Sequence, residues 1–589
     1  MVNDTSAEVP QEIQRSRKRS RIIWLGTVFA LVACGVQLFS IQIVRGAELK
    51  EQGRIVRTSA SSIEAPRGTI LDANGNVLVD SVQTYHIAVN QRNILEYRHI
   101  EDGVVVGKGP AEAAKQLAPL LEMDPSELGG MMLGDSTYVY LDKDVDAATY
   151  REIRKLNVYG IEWEPNFERQ YPGGNTAATI VGSVGAEGQG NSGLEFAFDN
   201  LLTGVPGEES YEIGPTGAVI PGAKIVTEEA EPGATLHLTI DADLQHAVQR
   251  ELDEATKKYG ASWGAAVILD VETSKVLTLA DSGSKDPTDG PQTSRAVQMV
   301  YEPGSVGKVL TMATALENGT ITPTSEFQIS DSYTIGEHTF TDLGDYGTAL
   351  RTATGVLAQS SNTGTLMIGQ LSSDEERYEM LQRFGLGTLT GIELPGESAG
   401  ILTEPSTWDG RTKYTTMFGQ GYAMTALQAA TIVATIGNDG VYQAPRVVEG
   451  WTTADGVYEE AKLEAPRQVL RSEVASTLTT MMESVVADPD VATGGLAAVD
   501  GYRVAAKTGS AEIGNGRIAA SVIGLLPADN PQLAIAVVLY EPSPGLLAGQ
   551  SAAPLFSAVA SEAVRSLGVA PSSEPARLFP SIPASVTQE

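Results

Sequence analysis

Residues 22–44 read IIWLGTVFALVACGVQLFSIQIV, a run with no charged side chain. It constrains the fold more than any other feature. A helix needs about 20 consecutive apolar residues to cross a bilayer core, and this run supplies them. It follows RSRKRSR at 15–21, and positive charge on that flank holds the N-terminal side in the cytoplasm. The sequence therefore predicts a basic cytoplasmic tail (1–21), one uncleaved transmembrane helix (22–44), and everything after about residue 46 outside the cytoplasmic membrane. A cleaved secretory signal would have a shorter apolar core and a small-residue site. Leu31-Val32-Ala33-Cys34 fits a lipoprotein cleavage pattern. The apolar run continues well past Cys34, which argues for the anchor. Cys34 is the only cysteine, so no intramolecular disulfide can form.

At 589 residues the chain is too long for one core. Residues 46–230 are rich in turn dipeptides (Asn74-Gly75, Pro172-Gly173, Pro206-Gly207, Pro221-Gly222), with alternating runs at 86–90 and 137–141 that read as strands and a helical pattern at 110–124. This region reads as a structural or docking pedestal. Glu231-Pro232-Gly233 marks a boundary. Beyond it come a strand running into an amphipathic helix from 236, a hairpin at 263–281, three strands at 502–512, 518–527 and 532–542, and a closing helix at 551–568. A domain that starts and ends with sheet around a helical middle is α+β, with helices packed on an antiparallel sheet. It is expected over 231–569. The Pro/Ser-rich stretch 570–589 is expected to be disordered.

The net charge of −33 argues against nucleic acid as a partner. The five histidines, His86, His99, His237, His246 and His338, lack metal-ligand spacing, so no zinc site is expected.

YEPGSVGKVLTMATALENG, residues 301–319, carries the chemistry. Pro303-Gly304 breaks what precedes it, and Ser305 stands where a helix should start. Val309, Met312, Ala313 and Leu316 form an apolar stripe, and Asn318-Gly319 is a stop. Ser305 and Lys308 are i and i+3 and share a face. A second Ser-x-x-Lys, Ser282 with Lys285, lies in a polar loop without helical pattern and reads as coincidence. Ser360-Ser361-Asn362 is the only Ser-x-Asn, and Lys507-Thr508-Gly509, followed by Ser510, is the only Lys-Thr-Gly. Each motif alone is weak. The ordered triple, with each member on a suitable element, is strong.

This set resembles the penicillin-recognising serine transpeptidases. APRGTILDANGNVLVDS (65–81) and GNSGLEFAFDNLLTGVPG (190–207) are similar to the pedestal of class B penicillin-binding proteins. Ala73 stands where that family often has arginine, LLAGQSAAP replaces a usual Gly-Gly-x-x-Ala-Ala-Pro loop, and Ser510 stands where threonine is commoner. Neither of the first two departures is expected to touch the three motifs.

A serine hydroxyl needs an adjacent base, and no histidine lies near any motif. Lys308 can serve if burial, or a positive Lys507 nearby, makes it neutral. Asn362 is expected to hydrogen-bond Lys308, and Ser360 to shuttle a proton to the leaving amine. The resemblance implies an oxyanion hole from the backbone N–H groups of Ser305 and Ser510. Thr508, Gly509 and Ser510 are expected to bind the terminal carboxylate of the substrate, favoured by Lys507. It further implies D,D-transpeptidation of peptidoglycan stem peptides ending in D-Ala-D-Ala, acylation by β-lactams, and no metal or organic cofactor. It implies a membrane-embedded glycosyltransferase and divisome proteins as partners. The overall pattern is most similar to the septal type. An elongation role, a carboxypeptidase or β-lactamase, a β-lactam sensor and a non-catalytic scaffold remain the alternatives.

Overall fold

In the computed structural model of the chain, residues 11–50, 58–212, 225–344 and 346–586 are described. The first ten residues of the basic tail and the Pro221-Gly222 turn lie outside them. The chain forms two compact units that do not follow sequence order: Met1–Glu64 with Val205–Glu231, and Ala65–Gly204 with Pro232–Glu589.

In the first unit the apolar run is helical. Helix α1 (Gln11–Phe39) continues through a π-helical turn at Ser40–Val44. Within Arg19–Val44 the most apolar 18-residue stretch has a mean hydropathy of 2.2, and the segment is long enough to span a membrane. Trp24, Phe29 and Leu31 on it are exposed, as side chains solvated by lipid would be. The unit also holds an antiparallel sheet of three strands in the order Thr58–Ile63, Gly207–Glu212, Ile225–Glu228.

The second unit is built on two sheets. One centres on the long strand Val77–Val89, which pairs with both Val139–Asp146 and Ile161–Gln170. The alternating runs read from sequence at 86–90 and 137–141 overlap the first two of these strands. The expected helix forms over Gly109–Leu117. Through Ile70–Leu71 the same sheet continues into Thr235–Leu238, Val448–Thr452 and Tyr458–Glu460. The strand at Ile70 runs parallel to the one at Leu236, so residues on both sides of the boundary at 231 share one hydrogen-bonded ladder. The two pedestal stretches also meet. Glu195 is wholly buried and takes Arg67 Nε on one carboxylate oxygen at 2.5 Å and Arg169 Nε on the other at 2.7 Å.

The other sheet carries the site. Helix α2 (Ala242–Tyr259) precedes the hairpin β1 (Trp263–Asp270) and β2 (Val276–Asp281). Helix α3 (Lys308–Glu317) follows, then α4 (Ala353–Ala358), α5 (Asn362–Gly369), α6 (Ala426–Gly437) and α7 (Ser472–Ala487). Strands β3 (Ala505–Gly514), β4 (Arg517–Leu526) and β5 (Leu533–Tyr540) and helix α8 (Ala552–Ser566) complete it. The antiparallel order is β2-β1-β5-β4-β3, which puts β3 at an edge. Both faces are covered, and the side chains divide with the two-residue period of a strand. Ala265, Val267 and Leu269 join the core that includes α3 and α6, while Ala266 and Ile268 join the core of α2 and α8.

Residues 570–586 correct the expectation of a disordered tail. Ser581 is buried, its carbonyl accepts from Thr352 N–H at 3.1 Å, and Phe579 packs against the main core.

Removing one member of a buried ion pair leaves an uncompensated charge, typically at a cost of about 3–5 kcal/mol. Glu195→Gln should therefore lower the unfolding free energy of the full chain in detergent by about that amount and with it the denaturation midpoint. An unchanged midpoint would mean that the two arginines are satisfied without it.

Candidate active site

Ser305 does not cap the helix. It lies in a 3-10 turn, Gly304–Gly307, that runs straight into α3 at Lys308, and no side-chain cap is made there. Two glycines explain the placement. Gly304 has φ +53°, a left-handed conformation that glycine adopts without a Cβ clash. Gly509 brings β3 so close to the turn that a Cβ there would sit 2.4 Å from the Pro303 carbonyl oxygen. On the other side Gly304 N–H donates to Gly419 O at 2.8 Å. The turn is thus wedged between the edge strand and the loop before α6. Ser305 is half-buried, and its hydroxyl has no hydrogen-bond partner among the described residues.

The three motifs converge on Ser360. Lys308 and Lys507 are both wholly buried. Lys308 Nζ donates to the Ser360 carbonyl and, at 3.2 Å, to its Oγ. Lys507 Nζ donates to the same Oγ at 3.0 Å and to Thr508 O at 2.9 Å. Ser360 itself has φ +60°, a region that costs a non-glycine residue roughly 1–3 kcal/mol and persists where the surroundings enforce it. The enforcement comes from both flanks. Thr493 Oγ1 donates to Ala358 O at the end of α4, and Ser361 Oγ accepts from Gly364 N–H as the N-cap of α5.

Burial moves both ammonium groups toward neutrality. Desolvation lowers Lys308 to about 7, with the Asp342 carboxylate pulling back the other way. Desolvation lowers Lys507 well below the usual lysine value, and the Lys308 charge adds to it. Of the two causes expected for Lys308, burial is the one that dominates, and it dominates at Lys507 as well.

Asn362 also departs from expectation. Its Nδ2 donates to Thr341 O at 2.8 Å, and it makes no bond to Lys308. A residue that sequence reading missed holds this end of α5. Asp342 accepts from Asn362 N–H at 2.5 Å, from Thr363 N–H at 3.0 Å and from Ser361 Oγ at 2.6 Å, and Tyr346 donates to it as well. It lies twenty residues before Asn362 in a patternless polar loop, so the sequence carries no signal for it.

Thr508 is buried beside Lys507, while Ser510 is half-buried. Ser510 Oγ accepts from Ala548 N–H at 3.0 Å. The Leu546–Gln550 loop, expected to leave the motifs alone, therefore touches the strand that carries Lys507-Thr508-Gly509. The second Ser-x-x-Lys stays apart: Ser282 Oγ accepts from Gly264 N–H and the Lys285 backbone bonds Gln292.

This arrangement can make a neutral amine and a relay hydroxyl available close to a free serine. Residues 264–561 match the family model of the penicillin-binding protein transpeptidase domain, and residues 62–238 match that of the penicillin-binding protein dimerisation domain. The chain is 34% identical to the penicillin-binding protein PbpB of Mycolicibacterium smegmatis, over 91% of this chain and 88% of that one. It is 30% identical to the peptidoglycan D,D-transpeptidase FtsI of Escherichia coli, over 90% and 89%. Among solved structures, a peptidoglycan synthetase from Bifidobacterium adolescentis aligns with a TM-score of 0.71 at 34% identity, covering 89% of this chain and all of that one. Penicillin-binding protein 3 of Mycobacterium tuberculosis complexed with aztreonam aligns with a TM-score of 0.68 at 29% identity, covering 88% and 100%. With both modules matched and likeness running over nine-tenths of its length, the chain belongs to the penicillin-binding protein transpeptidase family, in its class B.

Proposed function

We propose that this chain is a peptidoglycan D,D-transpeptidase that cross-links stem peptides through an acyl-enzyme on Ser305. The observation that carries the reading is the Ser360 hydroxyl held by two buried lysines beside a free Ser305. In the acylation step Ser305 Oγ attacks the carbonyl of the D-Ala-D-Ala bond, and neutral Lys308 takes its proton. Ser360 passes a proton to the departing amine, and D-Ala leaves. An amine from a neighbouring stem peptide then attacks the ester, forms the cross-link and frees Ser305. The oxyanion is held by the backbone N–H groups of Ser305 and Ser510. Lys507, Thr508, Gly509 and Ser510 receive the terminal carboxylate. The incoming carboxylate favours the proton of the lysine pair on Lys507, which leaves Lys308 neutral. β-Lactams, which bear a carboxylate next to a strained amide, enter the same place and stop at the ester.

Likeness to FtsI and PbpB supports a septal role in cell division. The basic residues 15–21, which precede the apolar run within α1, support an N-terminal side in the cytoplasm, with the catalytic unit outside the membrane. Neither matched module polymerises glycan strands, so the chain works beside a membrane-embedded glycosyltransferase, with residues 46–230 as its docking pedestal.

Incubation with benzylpenicillin, followed by intact-mass measurement and peptide mapping, should show one adduct on Ser305 that Ser305→Ala abolishes. A folded wild-type chain without an adduct would remove the mechanism and leave the scaffold reading.

The acylation rate should rise with pH through about 7, the value to which burial lowers Lys308. Asp342 stabilises the protonated form of Lys308, so Asp342→Asn should move that rising limb to lower pH. A limb that stays in place, or moves up, would mean that another group sets it.

A further inference from the structure

We infer that residues 572–586 are a strap that ties the start of β3 to the start of α4 and thereby holds Ser360 between the two lysines. The inference rests on the transpeptidase reading above and adds a positioning element to it.

The strap has two anchors. At the first, Ser572 N–H donates to Gly501 O at 3.0 Å, Ser572 Oγ donates to Asp529 at 2.7 Å, and Arg503 N–H donates to that Oγ at 3.0 Å. Arg503 lies just before β3, the strand that carries Lys507. Residues 573–575 then cross the surface exposed. At the second anchor Phe579 packs on the main core, and Ser581 and Pro583 are buried. There the Ser581 carbonyl accepts from Thr352 N–H at 3.1 Å, and the Pro580 carbonyl accepts from Thr352 Oγ1 at 2.6 Å.

Thr352 is the N-cap of α4, a single short helix that leads to Ser360. The first N–H groups of a helix have no partner within it, and here every one is met from outside. Ala353 N–H reaches Ser325 O, Thr354 N–H reaches Pro323 O, Gly355 N–H reaches Thr352 Oγ1, and Thr352 N–H reaches the strap. Thr352 is buried, so without the strap its N–H would be left unpaired away from water, which is unfavourable. Gly355 fits the strap closely: a Cβ there would lie 2.1 Å from the Ser581 carbonyl oxygen, and its other near contact is the movable Arg351 side chain. Ser360 sits at a left-handed φ that must be imposed on it. Fixing both ends of α4, at Thr352 by the strap and at Ala358 by Thr493, imposes it.

The test compares the full chain, a chain stopping at residue 573, and Gly355→Ala, all in detergent. Benzylpenicillin acylation is resolved into non-covalent affinity and the acylation rate constant. A misplaced catalytic group can slow chemistry by up to about a hundredfold. Both variants should therefore lose roughly tenfold to a hundredfold in the rate constant, with affinity nearly unchanged, and a peptide spanning 572–586 should restore part of the rate to the shortened chain. Alanine favours helix, so Gly355→Ala keeps α4 and disturbs only the strap; it decides the matter if the shortened chain does not fold. Rate constants equal to that of the full chain, or equal losses in affinity and rate with no rescue, would overturn the strap. A full chain that is not acylated at all would overturn the transpeptidase reading instead.

Discussion

Everything at this site depends on one hydroxyl with two buried amines pointed at it. Two ammonium groups sharing a dry pocket repel each other and lose their hydration, so the pair cannot hold two protons at neutral pH without a large penalty. Ser360 resolves this by accepting from Lys308 and Lys507 at once. The two carbonyls of Ser360 and Thr508 take further N–H bonds from the same amines. The chemistry follows: an amine that burial has made neutral is a base, and a hydroxyl fixed between two amines is a relay.

The fold is arranged to bring three distant segments to that hydroxyl. The edge position of β3 exposes Lys507 to the Ser305 turn with no further strand in the way, and Gly509 lets the two backbones close. Helix α3 buries Lys308 at a position where burial alone would favour an aliphatic residue. Ser360 pays for its position in backbone strain, which the caps on α4 and α5 and the Asp342 carboxylate offset. Asp342 has a double part: it satisfies the first N–H groups of α5 and supplies an opposite charge that acts on Lys308.

Much of this was legible in the sequence. Runs rich in β-branched and apolar residues marked β1 to β5 to within a few residues, because strands buried on both faces have little choice of composition. The three motifs were legible because each is rare in the chain and each falls on a suitable element. What stayed hidden depends on long-range approach. Asn362 was expected on Lys308, yet the Thr341 carbonyl, brought over by a hairpin, captures its amide. Asp342 has no motif. The ladder joining Ile70 to Leu236 crosses what composition marks as a boundary. The stretch around Ser581 looks disordered from its prolines, and those same prolines leave carbonyls free to accept from Thr352. The 3-10 turn at Ser305 also escaped, since pattern cannot separate a tight turn from a first helical turn.

The central claim is that burial, with a shared hydroxyl, holds the Lys308–Lys507 pair below full protonation at neutral pH. Heteronuclear NMR of lysine side chains labelled at Nζ reads this directly, with Lys308→Arg and Lys507→Arg as assignment controls. The account predicts that Lys308 titrates near pH 7, far from the value of about 10.4 for free lysine. It also predicts that loss of either lysine shifts the titration of the other. Two independent titrations near the free value would contradict it.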